Sequence, residues 1–311
     1  MVGRIAKIAG MSLGYALYTA VVTAVLLWYL FPASTVRDWL RFRLHKAVPG
    51  VEWKIGSLGL ALPGRLEMRN VRLNSSKQPK TELLALNRVA LGPDIAGLIQ
   101  ERKMRGLVHL TLASGSIDSL LSADVPGSLD VEGQVQDVRV EELQGVQAVL
   151  GRKISGTLSG TFRGRVDLQD PGKSMIRADL LLAQGELTFR KPVLGLDRLP
   201  FARLGTSLST KRKQFRLEKG SVGSRLLQGE FHGTIIPGSD LAGSAIRVEG
   251  VVRPRPELFA RLGSSRMVRF VRSRLRKGAL AFSVSGSLAE PGILFPDLAG
   301  AMGENLPGED Q

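Results

Sequence analysis

The sequence predicts a mainly β protein: one N-terminal transmembrane helix followed by a curved, repeat-built antiparallel β-sheet, shaped as a groove or half-barrel, with a few short helices. Two observations predict this fold. The segment from Ile8 to Phe31 contains no formally charged side chain. Beyond Val51, apolar and polar residues alternate along many short runs, and several runs carry glycine among the apolar positions. The first pattern is typical of a membrane span, and the second of half-buried strands.

The N-terminal segment is predicted to be an uncleaved signal anchor. At about 1.5 Å per residue it reaches roughly 36 Å as a helix, which exceeds a hydrocarbon core of about 30 Å. A cleaved signal peptide has an apolar region of about 7 to 15 residues and a small-residue cleavage site, whereas this run continues into Phe31-Pro32. A buried core helix is the other alternative, but such helices rarely run this long without a charge. The residues predicted to lie in the membrane anchor include Ile8, Leu13, Leu17, Val21, Val25, Trp28 and Phe31.

The charges that flank the anchor leave its orientation open. Arg4 and Lys7 precede it, while four basic residues follow it in the segment 32–50. Read literally, the positive-inside rule favours a cytoplasmic body, but the rule weakens for long translocated domains.

The composition favours an anionic partner and no cofactor. The net charge is +15, and the candidates are phospholipid headgroups, nucleic acid or an acidic protein. A membrane anchor favours lipid or protein, and an aromatic content of 5% argues against nucleic acid. The chain has no cysteine, and its three histidines, His45, His109 and His232, are scattered, so no metal site is expected. The common nucleotide-binding, metalloprotease and hydrolase motifs are missing from the sequence, so no enzyme is expected either.

Residues 32–50 are predicted to form an amphipathic linker helix that ends at Pro49-Gly50. Such a helix either lies among lipid headgroups or simply caps the first strands. Residues 51–123 then read as an α+β unit, with alternating strands, a turn at Pro63-Gly64 and a short helix from Ile95 to Arg102.

Residues 124–290 are predicted to form a curved antiparallel β domain. In Ile154 to Leu168 every even position is apolar or glycine, and every odd position is polar. Such strict alternation specifies a strand with one dry and one wet face. Glycine weakens a strand by about 0.5 to 1 kcal/mol relative to alanine, so its repetition indicates bends or the close approach of another group. The residues predicted to line an apolar groove are Ile154, Leu158, Phe162, Val166, Leu227, Phe231, Ile246, Val248, Phe282 and Val284.

A β-sandwich or barrel, in which a second sheet covers the apolar face, is weighed equally with the open groove. A basic helix is predicted over residues 254–277, to close an edge of the sheet and present cations outward. It either contacts anionic lipid or an acidic partner, or is a solvated capping helix. Its predicted contact residues are Arg266, Arg269, Arg272, Arg274, Arg276 and Lys277. The segment 291–311 is expected to be a flexible tail.

The run VEWKIGSLGLALPGRLEMRNVRL, followed by LLALNRVALGPDIAGLIQERKMRGLVHLTLASGSID, resembles the N-terminal part of AsmA-like proteins. In size and in its later repeats the chain is most similar to the GspN family of type II secretion proteins. The resemblance implies a non-catalytic envelope protein in the inner membrane of a Gram-negative bacterium, with its body in the periplasm and a structural or assembly role. The expected partners are the bilayer and other secretion-system envelope proteins. The alternative, implied by AsmA-like relatives, is phospholipid binding or transfer through the apolar groove.

Overall fold

The fold is mainly β. In the computed structural model, the described residues form fourteen antiparallel strands in one unclosed sheet, and each strand is hydrogen-bonded to its neighbours in the chain. The single sheet favours the open groove over the sandwich or barrel, because no second sheet is present among the described residues. Strand β5 pairs with β6 across the boundary predicted near residue 123, so the sheet continues there without a break. The structure describes residues 15–298 except 16–17, 20–21, 24–25, 27–28, 48–49, 62–63, 77–81, 102–104, 124–126, 212, 239–241, 263–265 and 276.

The strands are β1 Val51–Ala61, β2 Arg65–Ser75, β3 Glu82–Pro93, β4 Arg105–Thr111, β5 Ser116–Ser122, β6 Ser128–Arg139, β7 Ile154–Asp167, β8 Met175–Val193, β9 Leu196–Lys211, β10 Gln214–Gly223, β11 Leu227–Ile236, β12 Ala245–Pro254, β13 Leu280–Ser287 and β14 Pro291–Leu294. The helices named here are α1 Ala33–Ala47, α2 Ile95–Glu101, α3 Gln144–Leu150, α4 Pro256–Leu262 and α5 Arg266–Arg274. Two single 3-10 turns cover Val140–Glu142 and Pro171–Lys173.

The register gives the sheet an apolar face and a polar face. Cross-strand partners share a face, so one row can be followed across many strands. One such row passes from Leu66 through Leu91, Val108, Ser119, Gly133, Phe162, Ala178, Leu208, Leu217, Gly233 and Val248 to Val284. This row defines the apolar face. The residues that alternate with it, such as Arg163 and Arg165, form the polar face.

The sheet bends round on itself with the apolar face inward. Arg190 on β8 donates a hydrogen bond to Glu290, between β13 and β14, at 3.1 Å, and Arg152 donates to the Leu288 carbonyl at 3.5 Å. In a flat sheet the five steps from β8 to β13 would separate these groups by roughly 24 Å. Leu194, in the β8–β9 connection, packs against the cluster that contains Leu280.

Bulges contribute to this bend. The register shifts between Val135 and Val138, between Ser155 and Thr157, and between Leu217 and Lys219. Asp137 and Gly156 have positive φ at the first two of these places. Bulges of this kind bend a strand and increase its local twist.

Helices cover the apolar face at one end of the strands. Helix α1 contributes Val36 and Leu40 to the cluster around Val71 and Val138, and Leu258 of α4 and Val271 of α5 enter two further clusters. Leu258, Val271 and Leu280 are at most 2% exposed. This region is called the covered half, and most of the fully buried apolar side chains lie in it.

Most of the predicted anchor lies outside the described residues. Of the residues predicted to lie in it, Ile8, Leu13, Leu17, Val21, Val25 and Trp28 are not described, and Phe31 packs against the same cluster as α1. Within the described part of the chain, no helix combines the length and apolar character needed to cross a membrane.

Two predicted segments differ in the structure. Of the basic helix predicted over 254–277, Pro254 instead closes β12, and the described helical segments are α4 and α5, with residues 263–265 between them outside the described residues. The tail predicted to be flexible from residue 291 begins with β14, and Leu298 is only 2% exposed beside Phe295. The expectation is therefore wrong for residues 291–298, because Phe295 and Leu298 have apolar surface to bury.

Candidate functional site

The residues predicted to line an apolar groove all lie on the apolar face, because the register links them as cross-strand partners or alternate residues. They do not share one environment. Leu227 and Val248 are buried, and Ile154, Leu158 and Phe282 pack partly buried against the core clusters. The others remain half-buried outside these clusters: Phe162, Val166, Phe231, Ile246 and Val284.

The less buried part of the apolar face is centred on strands β6 to β9, at the strand ends opposite the covered half. Its side chains are half-buried, and none belongs to a core cluster. This region is called the open half, and it consists of Val131, Phe162, Val166, Ile176, Ala178, Leu180 and Leu208. A surface of this kind can accept an apolar ligand without displacing any core side chain.

Two kinds of close contact explain why glycine occupies positions on the apolar face. Phenyl rings lie over cross-strand glycines: a Cβ at Gly133 would stand 2.5 Å from the Phe162 ring, and one at Gly220 would stand 2.2 Å from the Phe231 ring. At Gly160 a Cβ would instead stand 2.3 Å from the Asp179 carbonyl oxygen of the next strand. The close approach predicted from the sequence therefore comes from neighbouring rings and backbone within the sheet.

Helix α5 carries part of the predicted basic contact surface. Arg269, Arg272 and Arg274 on α5 are exposed, as is Lys277 beyond its end. The Arg272 guanidinium lies 4.8 Å from the centre of the Phe259 ring, a cation–π contact that links α5 to α4. The Arg266 side chain and all of Arg276 lie outside the described residues.

The polar face contains a concavity of about 930 Å³ that crosses the sheet from Arg65 on β2 to Lys219 on β10. This polar furrow was not anticipated from the sequence. Its lining comes mainly from two neighbouring rows of cross-strand partners: the first contains His109, Asp118, Gln134, Thr161, Asp179 and Ser207, and the second contains Leu107, Leu120, Glu132, Arg163 and Arg177. No sequence signal marks it, because the rows exist only once the register of many strands is known.

Charge pairs within and between strands also lie on the polar face. Arg69 and Arg88 donate to the two Glu67 carboxylate oxygens at 2.7 and 2.8 Å. These hydrogen bonds, that from Arg69 first, hold the pKa of Glu67 below its ordinary value. Arg165 donates two hydrogen bonds of 2.7 and 2.9 Å to the Asp130 carboxylate and lowers the pKa of that carboxyl in the same way.

His109 is part of a hydrogen-bonded chain within the polar furrow. Its Nδ1 lies 2.5 Å from Asp118 Oδ1, and its Nε2 lies 3.1 Å from Thr111 Oγ1. The order of groups matches that of a hydroxyl nucleophile, base and orienting acid. All three residues, however, lie within the paired strands β4 and β5. The backbone amides beside them are hydrogen-bonded within the sheet. Among the described residues, no three His, Asp or Glu side chains are placed to hold a metal ion.

Comparison of the chain with protein-family models, curated proteins and solved structures gave no match, so the family resemblance read from the sequence stays a prediction.

Proposed function

We propose that this protein is a non-catalytic, membrane-anchored envelope protein that holds the acyl chains of a lipid against the open half of its apolar face. The observation that carries the proposal is the contrast within one face: in the described part of the chain, helix side chains fill the covered half and leave the open half uncovered. The half-buried Val, Ile, Leu and Phe side chains of the open half, which lie in neighbouring rows of the register, offer an apolar track that suits a long hydrocarbon chain better than a compact polar ligand.

The rolled sheet supports this reading. The contact between Arg190 and Glu290 closes one side of the roll near the covered half. The exposed cations of α5 offer charges complementary to anionic headgroups. The predicted anchor would keep the sheet beside a bilayer, where its ligand is found, and a periplasmic body in the inner membrane of a Gram-negative bacterium remains the expected location.

An assembly role, as in type II secretion, is the second candidate. The observation that favours it is the edge of the sheet: among the described residues β1 pairs only with β2 and runs for 11 residues, whereas the other edge strand, β14, has 4 residues and begins with Pro291. A long unpaired edge can accept a strand from a partner protein. Recovery of envelope proteins with the full-length chain, and their loss when Ser57 is changed to Pro at this edge, would support this role.

Leu180 and Leu181 provide a matched test of lipid binding. They are adjacent on β8, but Leu180 lies on the apolar face and Leu181, which is 44% exposed, on the polar face. In the full-length protein purified in detergent, Leu180→Asn is expected to weaken binding of a fluorescent phospholipid at least several-fold, because it places an amide in the apolar track.

Leu181→Asn is the control and is expected to leave lipid affinity unchanged, with both variants checked by circular dichroism. Equal affinities of wild type and both variants, or no saturable binding at all, would count against lipid binding and leave the assembly role.

A further inference from the structure

Two arginines face each other across neighbouring strands in the polar furrow. Arg163 on β7 and Arg177 on β8 are direct register partners, so both side chains rise from the polar face with Cβ atoms about 4.5 to 5.5 Å apart. Like charges placed directly opposite each other destabilise a sheet. Within the described part of the chain, neither arginine makes a hydrogen bond or an ion pair.

The neighbouring arginine on β7 shows that this lack of partners is particular to the pair. Arg165 lies two residues from Arg163 on the same face and is held by Asp130 of β6 through two hydrogen bonds. Glu132 of β6 stands opposite Arg163 in the same register, yet the two form no ion pair. Arg163 therefore does not pair with the Glu132 carboxylate, although the two residues are register partners.

Other acids that line the polar furrow are engaged elsewhere. Asp179 accepts a hydrogen bond of 2.6 Å from the Ser207 hydroxyl, and Glu218 accepts one of 2.6 Å from Ser209. Asp118 is bound to His109. None of these three acids forms an ion pair with Arg163 or Arg177.

The pair also has space for a ligand. A second concavity of about 390 Å³ adjoins the polar furrow, and the two share Leu120, Glu132 and Arg163 in their linings. Arg163 therefore stands where the two concavities meet. Guanidinium groups bind the oxygens of phosphate in a planar, two-pronged geometry, and two converging arginines can bind one phosphate from two sides.

We infer that Arg163 and Arg177 form a binding site for a phosphate or phosphodiester group in the polar furrow. The site lies on the opposite face from the apolar track, so it does not depend on acyl binding. A phosphate there replaces the repulsion of two arginines by two attractive contacts. The same chemistry is offered by a soluble phosphate and by a lipid headgroup.

The test is calorimetric titration of the full-length protein with inorganic phosphate, and separately with glycerophosphoglycerol, a headgroup without acyl chains, each against chloride at equal ionic strength. Arg163→Gln and Arg177→Gln are each expected to lower the affinity by about tenfold, as befits the loss of a charge-assisted contact. Arg165→Gln is the matched control and is expected to retain binding, because that side chain is committed to Asp130.

Glu132→Gln is expected to raise the affinity, since it removes a nearby negative charge. Tighter binding of glycerophosphoglycerol assigns the site to headgroups, and tighter binding of inorganic phosphate assigns it to a soluble ligand. Heats equal to those with chloride, or affinities unchanged in both Arg163→Gln and Arg177→Gln, would overturn the site.

Discussion

The covered and open halves of the apolar face are built from similar residues but are used differently. In the covered half, Val138, Val271 and Leu280 are at most 2% exposed because helices and the 3-10 turn pack on the sheet. In the open half, Ile176, Leu180 and Leu208 remain half-buried. Apolar surface left partly in water contributes less to folding, so the comparison suggests that the open half is kept for binding.

Truncating one leucine in each half gives the largest expected difference. Leu280→Ala removes a side chain with no exposed surface and is expected to cost about 2 to 5 kcal/mol in the free energy of unfolding. Leu208→Ala removes a half-buried side chain and is expected to cost about 1 kcal/mol. Urea denaturation of both variants measures this. Similar losses at the two sites would break the distinction between the halves.

A methyl group added at Gly220 tests the boundary between the halves. There the Phe231 ring fills the space above the glycine, so Gly220→Ala is expected to destabilise the protein by about 1 to 3 kcal/mol through overpacking. Gly59→Ala on β1 is the control, since a Cβ there meets no atom within 4 Å. Thermal unfolding should show a lower midpoint only for Gly220→Ala. An unchanged midpoint would mean that the ring is not held in place by packing.

Thr206 provides a smaller effect between the two halves. Its Oγ1 is buried without a hydrogen-bond partner on the apolar face, in the row that contains Leu180. Thr206→Val removes this unsatisfied hydroxyl while keeping the side chain's shape, and is expected to stabilise the protein by about 1 kcal/mol. Thr206→Ser keeps the hydroxyl and serves as the control. Destabilisation by valine in chemical denaturation would show that the hydroxyl makes a favourable interaction.

The polar face gives the smallest expected change, because the arginines of its ion pairs are largely exposed to water, which screens their charges. Arg69 and Arg88 hold the pKa of Glu67 below the value of 4.5 that applies without them. The ionised carboxylate therefore stabilises the fold above about pH 4.5, and this contribution is lost as the pH falls through the lower folded pKa. Glu67→Gln should flatten the stability profile in that acid range, as followed by urea midpoints from pH 7 to 3. An identical slope in the variant would show that Glu67 is not coupled to folding.

Much of the sheet could be predicted from the sequence, because strict alternation in Ile154–Asp167 and its weaker copies fixes which residues share a face. The sequence could not predict that the strands form a single open sheet, because the same alternation is compatible with a β-sandwich. Curvature depends on bulges such as that at Asp137, and on contacts such as that between Arg190 and Glu290, which are 100 residues apart.

The candidate sites show the same limit. The alternation of apolar and polar residues predicts which face Phe162 and Leu227 take. It does not predict that helix α4 packs over Leu227 while Phe162 stays half-buried. The arginine pair was invisible in the sequence, because Arg163 and Arg177 meet only through the register of β7 and β8. Local patterns thus predict which face a residue takes, whereas its neighbours come from the pairing of distant segments.

Photocrosslinking with a phospholipid that carries a reactive group on its acyl chain tests the central claim most directly. After irradiation of the full-length protein in lipid bilayers, peptide mapping by mass spectrometry compares Ile176 with its neighbour Met175, which is 64% exposed on the polar face. We predict labels at Ile176, Val166 and Leu208 in the open half. Labels at Met175 and Leu181 in equal yield, or labels confined to the N-terminal segment, would contradict acyl binding on the apolar face.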